Sequence, residues 1–143
     1  MGEPLALARL FTSGSDDELV VGVFDRVLEY HKGETKWLAS NTFSSEQILW
    51  RVWSSVELLE RGGLRLLADS IRGDNEVILH MWNAFRDIDL EEFAQSIVDE
   101  ALRPVSTAGA ANASSWPSRD VVIRNLAGYL RGEYRSFQRM DRG

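Results

Sequence analysis

His31 and His80 are the two side chains of this sequence that ordinarily titrate near neutral pH, which makes them the natural candidates for proton transfer. Glu76 stands four residues before His80, so on a helix the two share a face and could act as an acid–base pair or supply two metal ligands. Two ligands fall short of a metal site, and no nucleophile is spaced to partner either histidine. A surface pair, or a histidine satisfied at a packing interface, is the plainer reading of Glu76 and His80. The absence of cysteine removes disulfides, thiolate metal sites and a cysteine nucleophile together. Gly62-Gly63 follows no strand and precedes no Gly-Lys-Ser/Thr, so it reads as a helix stop and not as a phosphate loop. These residues point to a non-enzymatic protein with no cofactor and no bound metal; an enzyme using Glu76 and His80 is the alternative.

The remaining chemistry is charge. The net charge of −6 is divided unevenly: residues 1–102 hold 19 acids against 9 bases, whereas residues 103–143 hold 3 acids against 7 arginines. An acidic body argues against gripping nucleic acid directly and for a basic protein partner. Most carboxylates, including pairs such as Asp99/Glu100, belong to solvated helix faces. The candidate contact residues are Glu57 and Glu60 before the glycine bend and Asp87, Asp89, Glu91 and Glu92 at the joint after Phe85. In the basic tail, Arg124, Arg131 and Arg135 fall within about 40° of one another on a helical projection, beside an apolar stripe. They suit a solvated face, docking on the acidic body of the same or a second chain, or an anionic partner. A homodimer through this last helix is one such arrangement.

Positioning these groups requires helices. Ser44-Ser45-Glu46-Gln47 is a capping-box sequence, and Ile48, Leu49, Val52, Trp53, Val56 and Leu59 then recur at three- and four-residue steps. The spacing predicts a helix from Ser44 that stops at Gly62 in the left-handed conformation and restarts as a short segment through Leu64, Leu66, Leu67 and Ile71. Before it, Leu5 to Phe11 reads as a short helix ended by Thr12-Ser13-Gly14. A second capping box, Ser15 to Glu18, opens a helix carrying Leu19, Val20, Val23, Phe24, Val27 and Leu28 and ending by Gly33. Trp37, Leu38 and Phe43 are expected to plug the core from a loop. Beyond the bend, Asp74 caps a helix with Val77, Ile78, Met81, Trp82 and Phe85 on one side. Asp89 and Glu92 form a third capping pattern before Leu90, Phe93, Ile97, Ala101 and Leu102. Residues 105–115, rich in Ala, Ser, Gly and Asn, have linker composition. Trp116-Pro117-Ser118 starts a last helix through about Arg139, despite Gly128 and Gly132.

The expected fold is all-α, a single-domain bundle of about six to seven short helices. It divides into an acidic helical core over 1–103, a flexible linker over 104–117 and a basic C-terminal helix over 118–143 that packs on the core or on a second protomer. No apolar run approaches the roughly 18 residues of a membrane span, and the N-terminus lacks the pattern of a secretion signal, so the expectation is a cytoplasmic protein with no membrane partner.

The run Trp53 to Leu64, with its Gly62-Gly63 turn, resembles a family of small uncharacterised all-helical bacterial domains that includes a DNA-mimic protein. In that family a helix enters an Asn-Gly-Gly-Phe turn and a short helix with Gln, aromatic and Asn positions. The helices from Val77 to Phe85 and from Leu90 to Leu102 are similar to the two that follow it, and the resemblance covers residues 45–102. Arg61 stands in place of the Asn, Leu64 of the Phe, Leu66 of the Gln and Ser70 of the second Asn, so this chain has altered that polar set. The resemblance implies a bacterial, non-catalytic domain acting through protein contacts, as an accessory, regulatory, immunity-type or DNA-mimic-like protein. Mimicry of duplex DNA needs carboxylates in rows near its charge spacing of about 1.7 Å along the axis.

Overall fold

The computed structural model describes residues 9–12, 14–31, 44–103 and 116–137, and among them it is all-α, a single-domain bundle. After a helical turn at residues 9–12 come α1 (Asp16–Tyr30), α2 (Ser45–Ile71), α3 (Asn75–Asp87), α4 (Glu91–Leu102), α5 (Arg119–Gly132) and the single turn α6 (Tyr134–Phe137). The expected core plug at Trp37, Leu38 and Phe43, the linker residues 105–115 and the tail beyond Phe137 lie outside the described residues.

Helix α2 is the central element, packed against α1, α3, α4 and α5. Its Ile48, Leu49, Val52, Val56, Leu59, Leu67 and Ile71 are buried, each a large apolar group removed from water. Full burial of such a side chain contributes on the order of 1.5–3 kcal/mol, which is why this stripe organises the fold. Both capping boxes form: Ser44 accepts from the Gln47 amide and Ser15 from the Glu18 amide, with each partner side chain reaching back. The break in α2 falls one residue later than expected. Gly63, with φ 68° and ψ −161°, carries the non-helical conformation, whereas a Cβ on Gly62 would meet Leu66 Cβ at 2.7 Å. Packing against Leu66 therefore constrains Gly62, and backbone freedom is used at Gly63.

The joint between α3 and α4 also differs from its expected form. Asp89 does not cap α4, whose N-cap is Leu90 with no side-chain hydrogen bond. Instead the Leu90 amide donates to Phe85 O (2.9 Å) and the Asp89 amide to Arg86 O (3.0 Å), while Asp89 takes φ 65°. That pair of bonds is the glycine-type ending of a helix C-terminus, with Asp89 where glycine is usual. Phe85 and Phe93 close the joint edge to face at 5.2 Å.

Helix α5 lies on α1 and α2 and buries Val122, Ile123, Leu126, Ala127 and Leu130 in the same core. It ends at Glu133, whose amide donates to Tyr129 O and Leu130 O, so the C-terminal helix is broken there and does not run on without interruption. Ion pairs guide its docking: Arg119 reaches Asp17 at 2.9 Å and Glu60 at 3.7 Å, and Arg131 reaches Asp16 at 2.9 Å. Partly exposed pairs of this kind contribute up to about 1 kcal/mol each, so they set orientation more than stability. No helix among the described residues is long and apolar enough to cross a membrane.

Candidate functional site

Three of the expected contact residues converge. Asp89, Glu91 and Glu92 line an open cleft of about 600 Å³ with Leu90, Phe93, Ser96, Trp116 and Pro117. The left-handed turn at Asp89 places one carboxylate ahead of α4, and the first turn of that helix supplies the other two. The positive end of the α4 dipole favours anions there. All three acids are exposed and none forms an ion pair within 4.0 Å among the described residues. Trp116 and Pro117, from the segment that leads into α5, line the same cleft. Carboxylates beside an aromatic ring form a surface for a lysine or arginine side chain, through charge-assisted hydrogen bonds and stacking of the cation on the ring.

The other three contact residues lie apart from the cleft. Asp87 is half-buried and locally engaged: Arg86 donates to it at 3.1 Å and Asn83 at 3.4 Å, and Arg86 stacks over Trp82 at 4.6 Å. Glu60 faces Arg119 at the start of α5, and Glu57 is an exposed partner of Arg61 at 3.5 Å.

The two histidines occupy separate packing interfaces. His80 is buried on α3, while Glu76 is exposed. Burial pushes the imidazole pKa down, the nearby Arg51 guanidinium pushes it the same way, and Glu76 and Asp74 oppose them. Neither Glu76 nor His80 lines the cleft. His31 is the C-cap of α1, and its Nε2 meets Glu46 Oε1 at 2.6 Å. Glu46 is only 5% exposed although it lies in the first turn of α2. Beside it the Ser45 hydroxyl donates to Glu133 Oε1 at 2.8 Å and accepts from the Tyr129 hydroxyl at 3.2 Å. Burial is the main cause raising the Tyr129 pKa, so the phenol keeps its proton as a donor.

Sequence reasoning missed this partly buried cluster. Its pairs join residues 15, 84 and 88 positions apart, and the only local signal was the capping box that positions Ser45 and Glu46 at the head of α2. Among the described residues no three His, Asp or Glu side chains gather to hold a metal ion. No family model matches the chain, and neither the curated proteins nor the solved structures contain a match.

Proposed function

We propose that this protein is a non-enzymatic binding domain that takes a basic protein partner at the α3–α4 cleft, in an accessory or regulatory role. A lysine or arginine of the partner enters between Asp89, Glu91 and Glu92 and lies against Trp116. The observation that carries this reading is the grouping of three carboxylates, without an ion pair within 4.0 Å among the described residues, on a cleft that Trp116 also lines. The other three acids named as contacts are already engaged, Asp87 by Arg86, Glu60 by Arg119 and Glu57 by Arg61.

Binding of a fluorescent arginine-rich peptide, followed by anisotropy, tests the proposal. Affinity is expected to fall between about 0.05 M and 0.5 M salt, because exposed charges are screened over a shorter distance at high ionic strength. The substitutions Asp89→Asn, Glu91→Gln and Glu92→Gln together should weaken binding at least about tenfold. Binding indifferent to both salt and these substitutions defeats the proposal.

A further inference from the structure

Helix α4 carries its acids past the cleft. Glu91, Glu92, Gln95 and Asp99 are all exposed, and the hydrogen bond from Gln95 Nε2 to Asp99 Oδ1 (2.9 Å) links two of them. Helix α5 presents the opposite charge: Arg124, Gly128 and Arg131 are exposed along its outer side, and Arg135, also exposed, follows in α6 beyond the break at Glu133. Arg124 and Arg135 form no ion pair within 4.0 Å among the described residues, and Arg131 stays 40% exposed beside Asp16. The two rows match in pitch. Glu92 to Asp99 and Arg124 to Arg131 are each two helical turns, a rise of about 10.5 Å.

Gly128 sits midway along the basic row, and a Cβ built on it meets nothing within 4 Å. Nothing among the described residues uses the missing side chain, although glycine inside a helix weakens it relative to alanine. A second helix crossing at that point would use it, since glycine lets two backbones approach closely.

We infer that the basic partner is a second copy of this chain, with α5 of one copy laid along α4 of the other so that the arginine row meets the acidic row across Gly128. The inference rests on the cleft reading, because Glu91 and Glu92 belong to both. Each copy carries both rows, so one contact made twice satisfies both molecules. The chain as a whole is acidic, with a net charge of −6, so the attraction is local and salt weakens it.

Light scattering of the full chain over a range of concentrations tests the inference. At low salt the mass should rise above the 16.2 kDa of one chain as concentration increases, and return to it at high salt. Two double reversals, Glu92→Arg with Asp99→Arg and Arg124→Glu with Arg135→Glu, should each weaken association at least about tenfold and restore it when mixed. Gly128→Gln should raise thermal stability by improving the helix yet abolish association, which a purely structural role for the glycine does not produce. A mass of 16.2 kDa at every concentration and salt overturns the inference, as does undiminished association of either double reversal. The arginine-rich peptide separates the two claims. Peptide binding that depends on Glu91 and Glu92 in a protein that stays monomeric removes the second copy and keeps the cleft; loss of both removes both.

Discussion

At the first turn of α2, Glu46 is buried and held by His31, and the neighbouring Ser45 hydroxyl is held by Glu133. At the first turn of α4, Glu91 and Glu92 stand in solvent without an ion pair among the described residues. Both helices offer the same positive dipole end to their acids. In α2 the chain also supplies the counter-groups, from the C-cap of α1 and the end of α5, so the first turn fastens three helices together. In α4 the described residues supply none within 4.0 Å, and the carboxylates stay exposed. A buried charge is tolerated only when paired, so the α2 cluster is committed to the fold, whereas the α4 acids can change with little effect on stability.

The most direct way to break this comparison is to remove His31. His31→Ala leaves Glu46 deprived of the imidazole in a nearly closed site and should cost about 2–4 kcal/mol, whereas Glu91→Gln with Glu92→Gln gives up only two charges at the α4 dipole and should cost about 1 kcal/mol or less. Urea unfolding midpoints at constant slope measure both. Equal effects at the two helix starts would erase the distinction. Ser45→Ala tests the same cluster more gently. It removes the donor to Glu133 and the acceptor for Tyr129, and should cost about 1–2 kcal/mol in the same measurement.

His80 sharpens the comparison through pH. Burial and Arg51 depress its pKa in the folded protein, so over the window below its ordinary value of about 6.5 the unfolded chain binds the proton and the folded chain does not. Stability contributed by the neutral ring is therefore fully present above that value and lost as pH falls to the folded-state pKa, at no more than about 1.4 kcal/mol per pH unit. His80→Gln should flatten this part of the stability profile. His31 remains in both proteins, so the difference between profiles isolates His80.

How much of this was legible from sequence follows the range of each interaction. The capping boxes at Ser15 and Ser44 were readable because side chain and amide lie three residues apart, and the α2 stripe because its period is a property of the helix itself. The break at Gly63 was placed at Gly62 because the two glycines are equivalent until Leu66 packs against one of them. Asp89 looked like a cap because aspartate suits both a helix start and a left-handed turn; the bonds back to Phe85 and Arg86 decide between them. The acids of the cleft were visible as sequence neighbours. Trp116, which lines the same cleft, was not, since it comes from 24 residues beyond Glu92 and only the tertiary fold brings it there.

The smallest expected effect concerns Asp89, where stability and binding should move in opposite directions. Its φ of 65° is a conformation that aspartate tolerates at a small cost in energy and glycine adopts at almost none. Asp89→Gly keeps both backbone bonds of the turn and relieves that strain, offset by the greater freedom glycine gives the unfolded chain. The net expectation is a gain of about 0.3–1 kcal/mol, or roughly 1–4 °C in Tm. The same change removes one of three carboxylates from the cleft, so affinity for the arginine-rich peptide should drop by about threefold to tenfold. Asp89→Asn separates the two contributions, since asparagine also tolerates the left-handed region: affinity should fall as with glycine while stability stays near that of the unaltered protein. If Asp89→Gly gained stability and bound the peptide as well as the original chain, the aspartate would be a residue of the turn alone, and the cleft would rest on Glu91 and Glu92.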